Sequence, residues 1–327
     1  MDRIDKCLAD YRHWCEKLGI CTISDVNNII QSGKTNELIN ISEIWHEQNI
    51  SSIAEKIKNH IAKKKLIFIS GPSSSGKTSF ANRLQLHLKV LGINAVSLSL
   101  DDFYKNMEEM PRAEDGEYDF ESINSIDYNH FNCCVESLIN GKKTILPKFH
   151  FGTKPKSEYE LTLSRDEVII VEGLHGLNPK LSSNIDNEYK YKIYCSALTA
   201  LKQDDGLKIK SRTNRLVRRL IRDYYFRNTS YSYTFELWPR VEKGAQKYVF
   251  PYTDEADIIF NSSLLYEFAV YKKHINKLFE NVKPNDKDIN SILDILNLVN
   301  KFCGIDTRLV PGMSLAREFT GGSTVIN

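Results

Sequence analysis

The sequence predicts an α/β fold, a mostly parallel sheet flanked by helices, with a helical appendage at the N-terminus. Two observations carry this. From Leu66 onward, short β-branched and apolar runs alternate with helix-like stretches, the order that covers a parallel sheet on both faces. Before Leu66, apolar residues recur every three to four positions, the period of an amphipathic helix.

In that first segment Ile4, Leu8, Tyr11, Cys15 and Leu18 form a stripe that Gly19 should stop. Ser24 is a candidate cap for a short helix ending near Gly33, and a third helix should carry Leu38, Ile41, Ile44 and Trp45. Ser51 is a candidate cap for a fourth, with Ile53, Ile57 and Ile61 on one face. The basic run 63–65 reads as the join. The expected strands are Leu66–Ser70, Ala95–Leu100, Val168–Val171, Lys192–Cys195 and Asp257–Phe260. Helices are expected near 79–91, 129–140, 209–225, 234–247 and 264–281, with another at 288–301 and a tail over 308–327. The expected divisions are 1–64 as appendage, 65–262 as catalytic unit with a lid around 205–250, and 263–327 as helices and tail packed upon it.

Across 327 residues, 44 Lys and Arg against 42 Asp and Glu give a formal charge of +2, too little for a polycationic grip on nucleic acid. A charged start, MDRIDKCLAD, and apolar runs of only four residues provide neither a signal peptide nor a membrane span. The seven cysteines contain no CxxC pair and read as reduced thiols. A cytoplasmic protein is expected.

The strongest motif is Gly71-Pro-Ser-Ser-Ser-Gly76-Lys77-Thr78, a full G-x-x-x-x-G-K-[ST] match between an expected strand and an expected helix. This makes the expected fold P-loop NTPase-type. The motif needs its residue types. Glycines let backbone amides turn inward around phosphate oxygens, Lys77 adds a point charge, and the Thr78 hydroxyl can complete a magnesium shell. The candidate nucleotide-binding residues are Gly71, Ser73, Ser74, Ser75, Gly76, Lys77, Thr78 and Ser79. An Asn-Lys-x-Asp base-reading motif would suggest a GTPase, but Asn276-Lys277 is followed by Leu278-Phe279.

Ligands of a parallel sheet lie beyond the carboxyl ends of its strands. Asp101 and Asp102 follow the second strand, and either can accept a proton from an attacking hydroxyl or simply cap a turn. Glu172 ends the strand VIIV and suits magnesium, directly or through water. His175, lone and close behind, reads as structural. Between 208 and 227 eight Lys and Arg stand against a single Asp. On a helix Arg212, Arg215, Arg219 and Arg222 share a face, while Leu216, Val217, Leu220 and Tyr224 can be buried. The arginines are either a lid over a triphosphate or a solvated face.

GPSSSGKTSFANRL, LSLDDFY, YDFESINSID, VIIVEG, RRLIRD and ADIIFNSS occur in the order of the uridine kinase/phosphoribulokinase family, and residues 66–262 resemble it. The resemblance is greatest to its bacterial-type nucleoside kinases, extending to 10–62, to ELWPRVEKGAQKYVFP and to SLAREFTGGS. Many of those carry an upstream TGS-like domain, and the resemblance is to a form without it. It implies a nucleoside kinase with ATP, or alternatively GTP, as donor and Mg²⁺ as cofactor. Asp101 would be the general base, Arg222 and Arg227 would act with Lys77 on the transferred group, and Thr78 and Glu172 would hold the metal. Tyr104, Glu121, Phe149 and Arg219 would meet the nucleoside. Phe149 and Lys154 stand where uridine-cytidine kinases place a Tyr and a His on the pyrimidine edge, and Thr229 where a second lid arginine stands. The implied partner is a small-molecule nucleoside, with no nucleic acid or membrane, and with a homo-oligomer left open. The alternatives are a related kinase for another small hydroxyl substrate and a catalytically weak nucleotide-binding regulator.

Overall fold

The computed structural model describes residues 3–61, 63–149 and 157–326. Three helices come first: α1 (Arg3–Leu18), α2 (Ile23–Gln31) and α3 (Thr35–Lys58). The cap of α2 is Thr22 rather than Ser24. Thr22 accepts from the Asp25 amide while the Asp25 carboxylate accepts from the Thr22 amide, a reciprocal box that Ser24 has no partner to form. Ser51 caps nothing, because the expected third and fourth helices are the single α3. No glycine or proline interrupts 35–58, and Leu38, Ile39, Ile50, Ile53, Ala54 and Ile57 supply one continuous buried face. Ile44, expected on that face, is exposed.

The body follows as β1 (Leu66–Ser70), α4 (Lys77–Val90), β2 (Ala95–Ser99), α5 (Tyr128–Ile139), β3 (Thr144–Lys148), β4 (Ser157–Leu161), β5 (Val168–Glu172) and β6 (Lys190–Ser196). It closes with α6 (Ser211–Phe226), α7 (Tyr231–Tyr248), β7 (Ile258–Asn261), α8 (Glu267–Leu278), α9 (Ile289–Val299) and the short α10 (Arg317–Thr320). The five-stranded sheet has the order β2-β5-β1-β6-β7, and all of its described pairings are parallel. The antiparallel hairpin β3–β4 was not among the expected strands. Its residues SEYEL are polar and mostly exposed, so no apolar run announced them.

The pleat of β1 divides the interior. Ile67 and Ile69 face a core shared with α1–α4, α6, α8, α9 and the C-terminal segment, while Leu66 and Phe68 face a second core with α5 and Leu146 of β3. Neighbours of β1 are reached in opposite directions, toward β5 and β2 on one side and toward β6 and β7 on the other. The carboxyl end of β1 is therefore the topological switch point at which such sheets bind ligands. No described helix is long and apolar enough to cross a membrane. All seven cysteines are free thiols.

Candidate functional site

The loop Gly71–Gly76 turns directly from β1 into α4. Gly71 must be glycine, since a β-carbon there would lie 2.0 Å from the Cys195 carbonyl oxygen of β6. Gly76 has φ +86 and Ser74 φ +61, so the loop passes twice through the left-handed region that curls amides inward. The Ser74 and Ser75 hydroxyls are buried without a hydrogen-bond partner, as polar atoms of an anion cradle would be. Lys77 Nζ donates to the carbonyls of Gly71 (2.9 Å) and Pro72 (3.3 Å) within its own loop.

Acids stand at the neighbouring strand ends. Parallel pairing sets Ser99 of β2 opposite Glu172 of β5, and the Ser99 hydroxyl donates to Glu172 Oε1 at 3.1 Å. Burial raises Glu172 to about 7, and the Asp101 charge adds to the rise while Lys77 opposes it. Gly173 behind it allows close packing, since a β-carbon would meet Leu100 at 2.6 Å. Burial also raises Asp101, against the pull of Lys77, Arg227 and Arg222. Asp102 points elsewhere. Its carboxylate accepts from Lys148 Nζ (3.1 Å) and the Phe149 amide (3.0 Å), fastening the end of β3 to the short helical turn that begins at Leu100. The two adjacent aspartates are thereby separated, one facing the basic cluster and one holding the hairpin.

Helix α6 brings its arginines to the same place. Arg219 donates to Ser73 Oγ (3.0 Å) and Arg215 to the Ser73 carbonyl (3.3 Å), so the helix grips the phosphate loop itself. Asp223, buried on the same helix, gathers Arg219 (3.1 Å), Arg222 (2.9 Å) and Arg227 (3.7 Å). Burial lowers Arg227 to about 10, and neighbouring Arg222 adds to the depression. Arg212 and Arg215 pair with Glu242 of α7. Arg215 and Arg219 are buried, which excludes the solvated-face reading for these two, whereas Tyr224, expected to be buried, is exposed. Arg218, named on neither expected face, is fully buried against Glu267 and Ser262. Asp223, Glu242 and Glu267 were not singled out from the sequence. The lone acid amid eight positives was a signal for the first, but nothing local marked the others.

A second wall holds Tyr104, Glu121 and Phe149. The rings of Tyr104 and Phe149 lie 5.8 Å apart, and the Tyr104 hydroxyl donates to the Phe120 carbonyl at 3.2 Å. Burial raises Glu121 to about 7, with Arg219 and Lys77 opposing, and its Oε2 is buried without a hydrogen-bond partner. Gly244 of α7 packs directly on it, 2.4 Å from a would-be β-carbon to Glu121 Cβ. His175 is buried against Tyr248, and burial lowers it to about 4, so it is neutral near pH 7. The Thr229 hydroxyl donates to the Arg227 carbonyl at 3.1 Å, a local contact at the surface. Lys154 lies outside the described residues. No cluster of three or more His, Cys, Asp or Glu able to hold a metal occurs among the described residues.

A parallel α/β sheet with a glycine-rich phosphate loop at its switch point defines a P-loop NTPase-type protein. The chain belongs to the Phosphoribulokinase / Uridine kinase family, whose model matches residues 66–265. It is 38% identical over 128 residues to a uridine kinase of Schizosaccharomyces pombe, covering 38% of this chain and 28% of that one. It is 30% identical over 203 residues to uridine-cytidine kinase A of Dictyostelium discoideum, covering 62% of this chain and 37% of that one. The matched stretch thus spans about a third of these relatives' length. Among solved structures, one described as a possible uridine kinase from Bacillus stearothermophilus has a TM-score of 0.40 at 18% identity, covering 65% of this chain and 98% of that one.

Proposed function

We propose that the chain is an ATP-dependent nucleoside kinase that transfers the γ-phosphoryl group to the 5′-hydroxyl of a nucleoside, with uridine as first substrate. The observation that carries this reading is Asp101, a carboxylate just beyond the end of β2 whose burial raises its pKa while the charges of Lys77, Arg227 and Arg222 pull it down. In the reaction the 5′-oxygen attacks the γ-phosphorus as Asp101 takes its proton, and ADP leaves. Lys77 and the loop amides hold the phosphates, while Arg222 and Arg227 face charge developing on the transferred group. Tyr104, Phe149 and Glu121 form the acceptor wall, Glu121 being placed to accept from ribose hydroxyls.

Mg²⁺ fits this donor set. Glu172 and Thr78 offer hard oxygens, and the mutual charge of Glu172 and Asp101 favours a cation between nucleotide and strand ends. The ion would neutralise phosphate charge. GTP as donor is the alternative, as no base-reading motif selects adenine. The absence of a polar group on Phe149 supports a second reading, in which the acceptor is another small hydroxyl compound.

A panel of nucleosides with Mg-ATP should yield a 5′-monophosphate, read by chromatography; turnover of none rejects the substrate class. Asp101→Asn should lower turnover by roughly 10²–10⁴-fold while nucleotide affinity is kept. Near-normal turnover would remove Asp101 as base.

A further inference from the structure

The phosphate loop meets a segment that lies outside the stretch matched by the family. Ser79, the third residue of α4, offers both its amide and its hydroxyl to Glu318 Oε2, at 3.2 and 2.6 Å. The amides of a helix's first turn have no partner within the helix, and here they continue the cradle that begins at Gly71. A carboxylate oxygen on two donors is an anion seated at one edge of that cradle.

The segment that delivers it is firmly fixed. Leu315 covers Gly76, with Cδ1 2.7 Å from a would-be β-carbon, so the loop's left-handed turn and the tail fit together without a spare methyl group. Ser314 Oγ lies 2.9 Å from the buried Tyr266 hydroxyl, Phe319 is fully buried with the Arg218 guanidinium 5.1 Å from its ring centre, and Asn82 donates to the Val325 carbonyl at 2.7 Å. Glu318 is only half-buried, between the buried Ala316 and Phe319. Moving the backbone would break a packed core; turning one side chain into solvent would not.

We propose that Glu318 sets nucleotide affinity as a tethered anion, holding the Ser79 donors until a phosphate oxygen takes them and its side chain turns outward. The inference rests on the nucleotide-binding part of the reading above. One amide proton cannot serve a carboxylate and a phosphate at full strength, and two anions at one helix N-terminus repel. The tail therefore weakens nucleotide binding and keeps the empty loop's donors satisfied.

The test compares the full-length wild type with Glu318→Ala and Glu318→Gln, by calorimetric titration with Mg-ATP and separately with inorganic tripolyphosphate. Glu318→Ala should bind both roughly tenfold more tightly, the scale of one charge-assisted hydrogen bond. Glu318→Gln, which keeps an oxygen but loses the charge, should fall between, and the KM for the nucleoside should not move. Unchanged or weaker affinity in folded Glu318→Ala overturns the inference in favour of a supporting role for Glu318. Should that variant fail to fold, weaker or equal binding by Glu318→Gln overturns it in the same way. Wild type that binds neither probe overturns this inference and nucleotide binding together. Wild type that binds ATP yet phosphorylates no nucleoside overturns the kinase reading alone, and the order of the three affinities still decides the role of Glu318.

Discussion

Asp101 and Asp102, adjacent in the chain, are set apart by contacts from far along it. Lys148 and the Phe149 amide take the second carboxylate, while the charges of Lys77, Arg227 and Arg222 act on the first. Glu172 permits a test at the same scale. Its pKa rises from 4.5 in the free residue to about 7 when folded, chiefly through burial, so the native state holds the proton longer than the unfolded chain. Between those values the native state binds more protons, and stability must fall as pH rises from about 4.5 to about 7. Glu172→Gln should flatten that fall in nucleotide-free protein, followed as thermal midpoint against pH. An unchanged slope would mean that Glu172 ionises normally in the fold. The glycine-rich motif, the Asp101-Asp102 pair and Glu172 were legible because local pattern places them at strand ends. Asp223 as the common partner of three arginines was not, since a sequence counts charges without pairing them.

At the scale of elements, the parallel strands and most helices were legible from periodicity and boundaries moved by a few residues. Where Ser24 and Ser51 were expected to cap, the structure prefers Thr22 and an unbroken α3. A serine flags a possible cap, but a cap forms only where the chain leaves amides unpaired; at Thr22 the Asp25 carboxylate three residues on completes a reciprocal box. Thr22→Ala should therefore cost about 1 kcal/mol of stability. Ser51→Ala, at an exposed position inside α3, should be neutral or stabilising by up to about 0.5 kcal/mol. Urea denaturation of both variants checks this, and a cost at Ser51 like that at Thr22 would contradict a continuous helix. The hairpin β3–β4 stayed hidden because a largely exposed ribbon needs no apolar alternation.

For the whole molecule, the core decides which parts stand together. One cluster joins Tyr11, Ile23, Ile39 and Ile57 of the first three helices to Ile67 and Ile69 of β1, Phe80 of α4, Phe268 of α8 and Phe319 of the tail. Phe80 and Phe260 stack at 4.1 Å, and buried Arg83 pairs with Glu47 of α3 at 2.7 Å. The first helices and last segment therefore complete the sheet's covering. A fragment of residues 66–265 should lack cooperative unfolding, whereas the full chain should unfold in one transition by circular dichroism. A fragment with its own sharp transition would show that the flanks are dispensable.

By itself, the sequence determined the alternating architecture, the phosphate loop and the acids at strand ends. These depend on residues close in the chain, where period and spacing translate directly into geometry. Only the tertiary structure decided that Asp102 leaves the site, that buried Arg218 reaches Glu267, and that Glu318 lies on Ser79. Each of these pairs residues 46 to 239 positions apart. A charge finds its partner only when packing has brought the elements together, and burial then makes the pairing obligatory.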